Sequence, residues 1–491
     1  MSLDPKAHIY FVGIGGTGMA SVAGLCQMAG YRVSGSDAGI YPPMSTMLEH
    51  LKIPVLTPYS TSNIDRVTPD LVVVANALSR GHVELEKVLE SGLPFTSFPK
   101  LLGDLFLSKR ETCVVAGTHG KTTTTSLLAH VLLELGADPG YLIGGIPRNQ
   151  SQSFALGTGP AFVIEGDEYD TAFFDKGPKF LHYCPKHLIF NNLEFDHADI
   201  YASVEAIEAQ FERLLALVPN KKNILANVDD PGVFRVIERL GLARQVTRVA
   251  TLGQAKEAEI SVVSSKGEAL SPVEQVWSAV IRTTEPGDLG EFAVRTSLSG
   301  RHNIANIAQV VAAVLSLRRA GALKKDLTSR EISAAIETFE PPKRRMELLA
   351  HAGGISVFED FAHHPTAVRL VIEGFKAAYP DRRLIVAFEP RSASNRRNVF
   401  QKDYAKNLNM ADLVMIGECL VDQRIPVDQR FNPDELKDDI GSKAHSFGTN
   451  AELFARLASE LRPGDAVIFM SSGSFSGVQH QLAHKIRELF S

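Results

Sequence analysis

The chain has 491 residues, which at roughly 150 residues per domain suggests about three domains. Apolar residues make up 44% and charged residues 22%, which excludes disorder along its whole length and leaves material for more than one core. A formal net charge of −5, from 51 basic and 56 acidic residues, argues against a non-specific nucleic-acid binder but leaves room for a local basic pocket.

Residues Met1 to His8 carry neither a basic stretch nor a long apolar one, so no secretory leader is expected. No uninterrupted apolar run reaches the roughly 18 residues of a membrane span. Cys26, Cys113, Cys184 and Cys419 lie far apart without C-x-x-C spacing, so neither a zinc ribbon nor a disulfide framework is expected. These features predict a soluble cytoplasmic protein.

Three segments share one plan, an apolar strand running into a small or polar turn: Ile9–Val12 into Gly13, Thr112–Ala116 into Gly117, and Leu384–Phe388 into Glu389-Pro390. Continuous apolar runs of this length fit buried parallel strands, and helical patterns alternate with them. The predicted fold is therefore α/β in three domains: an N-terminal Rossmann-like unit, a central P-loop ATPase-like unit and a C-terminal Rossmann-like unit. The boundaries are placed at 1–107, 108–338 and 339–491, the second at Glu340-Pro341-Pro342-Lys343-Arg344-Arg345, where two prolines stop any helix. Residues 245–300 read as a strand-rich stretch of the middle unit.

Gly13-Ile14-Gly15-Gly16-Thr17-Gly18 follows the first strand, and a helix-like run, Met19 to Ala29, follows it. A second strand then ends in Ser36-Asp37. This is the dinucleotide-fold arrangement. Gly13 permits a tight turn, Gly15 lets backbone approach a diphosphate, and Gly18 lets helix and strand pack closely. Gly16 completes the loop, whose helix N-terminus offers free N–H groups to an anion. Asp37 is placed either as an acceptor from a ribose hydroxyl or as a cap. The loop alone does not separate a nicotinamide cofactor from a UDP-sugar.

Gly117-Thr118-His119-Gly120-Lys121-Thr122-Thr123 lies between the second strand and an apolar helix. It keeps the G-x-x-G-K-T core of a P-loop, although Val115 stands where the strict pattern has glycine. In that pattern backbone N–H groups cradle phosphates, Lys121 reaches the β- and γ-phosphates, and the Thr122 hydroxyl binds Mg²⁺. Downstream, Ala161–Ile164 runs into Glu165-Gly166-Asp167-Glu168, and Glu165 is the expected second metal ligand. Leu188–Phe190 runs into Asn191–His197, where His197 can ligate a metal as neutral imidazole. A dehydrogenase accounts for the first loop only, and a simple NTPase for the second only. An enzyme that joins two substrates at the expense of ATP, one of them a nucleotide conjugate, accounts for both.

These residues resemble the Mur ligase family of peptidoglycan biosynthesis. The resemblance rests on the two glycine loops with Ser36-Asp37, on Asn192–His197, on Arg301-His302-Asn303-Ile304-Ala305-Asn306 and on Asp360-Phe361-Ala362-His363-His364-Pro365-Thr366, in the family's order along all three domains. Within the family, Glu165-Gly166-Asp167-Glu168-Tyr169-Asp170 and Phe388-Glu389-Pro390-Arg391-Ser392 look like the branch that accepts a recycled tripeptide. The alternative is the branch that adds L-alanine, which typically shows E-A-D-E-S-D and P-H-R-Y-x-R-x-R at these places.

The resemblance implies an ATP- and Mg²⁺-dependent ligase of the bacterial cytoplasm. It would join UDP-N-acetylmuramate to L-Ala-γ-D-Glu-meso-diaminopimelate, with no nucleic acid or membrane as partner. The first domain would hold the UDP-sugar through Gly13, Gly15, Gly16, Gly18, Ser36 and Asp37. The middle domain would hold ATP through Gly117 to Thr123 with His302, Asn303 and Asn306; helix capping is the other reading of Asn303. Thr122, Glu165 and His197 would be metal ligands. Many relatives carry a carbamylated lysine on the next helix, Ser203 to Val218, which here has none; Glu212 is the expected substitute, a solvated acidic face being the alternative. Arg345 is the expected phosphate clamp. Asp360, His363, Arg391 and Arg397 would meet the peptide, and His363 or His364 would assist amine deprotonation, with His364 the choice. Two hinges imply an open form without ligands.

Overall fold

The structure is a computed structural model that describes residues 3–251, 258–285 and 289–490. Three sheets follow one another along the chain. The first contains β1 (His8–Val12), β2 (Arg32–Ser36), β3 (Val55–Leu56), β4 (Leu71–Val74) and β5 (Phe95–Ser97), all parallel, in the order β3-β2-β1-β4-β5. Phe11 and Val12 are fully buried, as expected of a strand covered on both faces.

The second sheet has a parallel centre: β6 (Glu111–Ala116), β7 (Gly140–Leu142) and β9 (Ala161–Gly166), with β8 (Phe154–Ala155) antiparallel at the edge. A short ribbon, β10 (Asp170–Ala172) and β11 (Asp175–Pro178), stands apart. The sheet continues through β12 (His187–Phe190), β13 (Ile224–Asn227) and β14 (Thr247–Ala250). It ends in β15 (Ile260–Ala269), β16 (Gln275–Thr283) and β17 (Glu291–Thr296), which pair with one another antiparallel. The strand-rich reading of 245–300 is thus found, apart from 252–257 and 286–288, which lie outside the described residues.

The third sheet comprises β18 (Glu347–Ala352), β19 (Ile355–Asp360), β20 (Leu384–Phe388), β21 (Leu413–Ile416), β22 (Ala444–Ser446) and β23 (Ala466–Met470), in the order β18-β19-β23-β20-β21-β22. Only β18 is antiparallel.

Loops at the C-terminal ends of β1, β6, β9, β12 and β19 carry the residues singled out above, which is where open α/β sheets place ligands. The helix Val204–Leu217 covers β12 through Phe211, whose ring stacks on Phe190 at 4.9 Å between centroids and 12° between planes. Such a pair contributes about 0.5–1.5 kcal/mol beyond its area and fixes the strand that ends in the Asn191–His197 loop.

Candidate active site

One cavity of about 940 Å³ is lined from all three parts of the chain, by Gly16 and Gly18, by Lys121 and Glu165, and by Arg345 and His363 among others. In the first loop, Gly13 has φ +84°, and a β-carbon there would lie 2.7 Å from that of Ala75. The Gly15 N–H donates to Asp37 Oδ2 at 2.8 Å, so this carboxylate closes the loop. Ser36 was expected to meet a ligand, but its buried hydroxyl donates to Glu84. Glu84 also accepts from the Ser60 N–H at 2.9 Å and the Asn63 amide at 2.7 Å. Ser36 therefore satisfies a buried carboxylate behind the loop, because leaving that charge unpaired would be far more costly.

The second loop is clamped by Asn192, which accepts from the His119 N–H at 2.7 Å and donates to the His119 carbonyl at 3.1 Å. Gly117, at φ +141°, has no room for a side chain: a β-carbon would sit 2.9 Å from the Asn192 carbonyl oxygen. Thr118 exchanges hydrogen bonds with the Glu194 backbone, at 2.9 Å from the N–H and 3.2 Å to the carbonyl, and so serves the loop's own geometry. Gly120 in the left-handed region opens the helix Lys121–Glu134, and Thr123 lines the cavity.

Lys121 Nζ donates to the Gly117 carbonyl at 2.7 Å and to both oxygens of Glu168, at 2.9 and 3.0 Å. Burial opposes its charge, but the carboxylates of Glu168, Asp167 and Glu165 prevail and raise its pKa. The Thr122 hydroxyl donates to Glu165 Oε2 at 3.1 Å, and Gly144 N–H holds Glu165 Oε1 at 2.6 Å. That spacing is close to the ~2.9 Å between adjacent oxygens around a Mg²⁺ ion with ligands at about 2.0–2.1 Å. The donor set of Thr122 and Glu165 fits this cation, and burial, which raises the Glu165 pKa, leaves its carboxylate in need of one.

His197 sits in the left-handed region at φ 55°, a conformation costly for a side chain with a β-carbon. Asp196 Oδ1 holds it there by accepting the His197 N–H at 2.7 Å, while also accepting the Ser394 hydroxyl at 2.9 Å. The imidazole Nε2 consequently meets Glu168 Oε1 at 2.8 Å. Burial disfavours its charge, but Glu168 and then Asp196 outweigh it and raise the His197 pKa. The hydrogen-bonded carboxylate partner of His197 is thus Glu168 rather than Glu165.

Glu212 does not join this set. No residue of the helix Val204–Leu217 lines the cavity, and Glu212 accepts from Arg239 Nε at 2.7 Å. The buried acid of that helix is Glu208, which is 1% exposed and paired with Arg235 and Arg239. The acidic face is a seam between two helices, so the expected substitute for a carbamylated lysine is corrected.

Asn303 donates to the Ser299 carbonyl at 2.6 Å and accepts from Asn306 at 3.0 Å, while Asn306 accepts from Asn191 at 3.4 Å. These amides support Gly120 from behind, where a β-carbon would lie 3.0 Å from Asn306 Oδ1. His302 differs: its buried Nδ1 has no partner among the described residues, and its ring faces the cavity. Burial, then Arg345, holds its pKa down to about 4, leaving a neutral ring with an unused hydrogen-bonding atom at the cavity.

At the second hinge, Arg344 and Met346 both have positive φ and turn Arg345 toward the cavity. Arg344 is engaged with Glu359 at 2.8 Å and the Ser471 carbonyl at 2.8 Å. The Arg345 guanidinium has no hydrogen-bond partner among the described residues and lies 5.2 Å from the Phe361 ring centroid. Asp360 spends both oxygens on backbone, accepting from Met346 at 2.8 Å and Ala362 at 2.7 Å. These bonds tie it to the hinge, and the residue also lines the cavity.

The two histidines divide as follows. His364 caps the helix Pro365–Ala378 with Nδ1, accepting from Thr366 at 3.3 Å, and Nε2 donates to the Phe195 carbonyl at 3.1 Å. With both nitrogens engaged, His364 is corrected from base to structural tie. His363 Nδ1 donates to the Phe361 carbonyl at 2.9 Å, which fixes the tautomer and leaves the Nε2 lone pair free. Arg391 is exposed and Arg397 reaches Gln429 at 3.5 Å; neither lines the cavity. The contacts of His364 with Phe195 and of Ser394 with Asp196 also dock the third part of the chain onto the middle one, unlike the open form expected.

Sequence reasoning quoted Glu168 and Asn192 within motifs without giving either a role, and it passed over Gly144. Glu168 stood in plain view beside Glu165, but which acid points inward depends on the turn after β9. Gly144-Gly145 after an apolar strand was the available signal for the third.

A strand–loop–helix phosphate cradle, strand-end carboxylates and a hinge arginine around one cleft define an ATP-handling α/β enzyme. Family models agree: residues 8–110 match the Mur ligase family, catalytic domain; 115–314 the Mur ligase middle domain; and 344–473 the Mur ligase, glutamate ligase domain. The chain belongs to the Mur ligase family, whose members form amide bonds at the expense of ATP. It is 37% identical over 476 residues, 97% of each chain, to the UDP-N-acetylmuramate–L-alanyl-γ-D-glutamyl-meso-2,6-diaminoheptandioate ligase of Escherichia coli (strain K12). It is 30% identical, over 97% of this chain and 99% of the other, to the UDP-N-acetylmuramate–L-alanine ligase of Desulfitobacterium hafniense (strain Y51). The crystal structure of a murein peptide ligase from Psychrobacter arcticus 273-4 superposes with a TM-score of 0.68 at 33% identity, covering 98% of both chains. No helix among the described residues is long and apolar enough to cross a membrane.

Proposed function

We propose that the chain joins the lactyl carboxylate of UDP-N-acetylmuramate to the alanyl amine of L-Ala-γ-D-Glu-meso-diaminopimelate, with ATP converted to ADP and phosphate. The observation that carries this reading is the single cleft that reaches from Gly16 and Gly18 through Lys121 and Glu165 to Arg345 and His363. The 37% identity to the tripeptide ligase, against 30% to the alanine ligase, supports the choice of acceptor.

The first loop holds the uridine diphosphate and brings the muramyl carboxylate to the second. That carboxylate attacks the γ-phosphorus, the bond to the β,γ-bridging oxygen breaks, and ADP leaves an acyl phosphate. The peptide amine then attacks the acyl carbon and phosphate departs. Because anions must meet, the cationic groups do most: Lys121 moves from Glu168 to the phosphates, and Arg345 takes the transferred group. Mg²⁺ held by Thr122 and Glu165 would neutralise further charge. His363 Nε2 accepts the amine proton, which its burial-lowered pKa makes a mild rather than strong base. Docking of the third domain keeps water from the acyl phosphate.

Phosphate release with ATP and UDP-N-acetylmuramate tests the reading. Stimulation by the tripeptide and not by L-alanine is the expected result. Preference for L-alanine would move the chain to the alanine-adding step, and release with neither would refute the ligase reading.

A further inference from the structure

His119 and His364, which line the cleft, converge with Glu194 on one point. His119 Nε2 lies 3.0 Å from Glu194 Oε2, and His364 Nδ1 lies 3.5 Å from the same oxygen. One ligand atom from each of the three falls within 4.8 Å of the others. Ligands at about 2.0–2.2 Å in tetrahedral array stand ~3.3–3.5 Å apart, so the spacing already approximates such a site. The surroundings orient the donors. His364 Nε2–H donates to the Phe195 carbonyl at 3.1 Å, which directs the Nδ1 lone pair inward. The Glu194 N–H is held by the Thr118 hydroxyl at 2.9 Å. Asn192 pins the His119 backbone on both sides. A backbone carbonyl on the outer nitrogen of a ligating histidine and a hydrogen-bonded carboxylate are the usual supports of a bound metal.

We propose that His119, Glu194 and His364 form a His₂Glu site for a borderline divalent cation of the zinc class, with a fourth position open to the cleft. Two neutral imidazoles and one carboxylate suit zinc or cobalt(II) and not Mg²⁺, which prefers oxygen ligands. Binding displaces the 3.3 Å cap bond from Thr366 to His364. Because His119 belongs to the phosphate loop and His364 to the third domain, an occupied site ties those two parts together.

The test is a cobalt(II) titration of the nucleotide-free full chain, read by visible absorption. One equivalent should produce the intense bands of tetrahedral cobalt, and zinc should abolish them. Glu194→Gln should lose the bands, as should His364→Asn, whose amide can still cap the helix. Glu165→Gln, which alters the Mg²⁺ site, should keep them. Circular dichroism identifies any variant that fails to fold, and His119→Asn then takes its place. No stoichiometric band in the wild-type chain, bands that survive both Glu194→Gln and His364→Asn, or bands lost in Glu165→Gln would each overturn the proposal.

Discussion

The two glycine loops occupy the same place in their sheets, yet each is closed by the opposite charge. In Gly13–Gly18 the Gly15 N–H is met by an anion, Asp37. In Gly117–Thr122 the Gly117 carbonyl is met by a cation, Lys121, itself neutralised by Glu168. Backbone donors with a nearby carboxylate suit a diphosphate that stays intact and a ribose that needs an acceptor. A lysine beside a hydroxyl and a carboxylate that fit a divalent cation suits a phosphate whose bonds change. In the function proposed, one architecture would yield a holding site and a reacting site, and the charge that follows the glycines would decide which.

Lys121→Ala should separate the loops most sharply. Phosphate release should fall about 10³-fold, as when a central electrostatic stabiliser is lost, while binding of UDP-N-acetylmuramate by calorimetry stays unchanged. Next in size, Arg345→Ala should lower kcat roughly 10²-fold with little change in any of the three KM values, the mark of a group used in the transition state. Lysine there should recover part of the loss, because it keeps charge but not the bidentate fork. Asp37→Ala should raise KM for the UDP substrate about 10-fold in steady-state assays and leave KM for ATP alone.

A smaller effect concerns pH. A metal at His197 would need the neutral ring, and its pKa is raised by Glu168 and Asp196 against the effect of burial. The Mg²⁺ concentration for half-activation should therefore climb a few-fold as pH falls through that raised value. Without ligands the stability from this pair runs the other way: it is complete below the unfolded value of 6.5 and is lost as pH rises through the folded one. Thermal unfolding against pH checks the sign.

The smallest effect belongs to the helix Val204–Leu217. Glu212→Gln should leave Mg²⁺ dependence unchanged and move stability by under about 0.5 kcal/mol. Glu208→Gln, which removes a buried carboxylate from two arginines, should cost about 1–2 kcal/mol by denaturant unfolding.

Much of this was legible in the sequence, because both loops rest on short-range rules. Glycine is required at 13 and 117 by positive φ and close backbone neighbours, and apolar runs before each are buried strands. Lys121, Thr122 and Glu165 follow from the strand–loop–helix pattern. The choice between Arg344 and Arg345 could not be derived from the sequence, because it depends on which of them is taken up by Glu359 and the Ser471 carbonyl. What could not be read was pairing across long separations. Ser36 with Glu84, Ser394 with Asp196, and His364 with Phe195 are contacts between distant segments, and each converts a presumed ligand-binding or catalytic residue, or an unremarked one, into part of the frame. Glu212 misled because helical periodicity gives the face of a residue but not its neighbour, and here the neighbour is Arg239.

The division of labour between the loops is tested most directly by calorimetric titration of ATP and of UDP-N-acetylmuramate, separately, into Lys121→Ala and Asp37→Ala. Each variant should lose affinity for its own ligand by at least about tenfold, or 1.4 kcal/mol, and keep the other ligand within twofold. Loss of UDP-N-acetylmuramate binding in Lys121→Ala with ATP binding intact, or of both ligands in either folded variant, would contradict it.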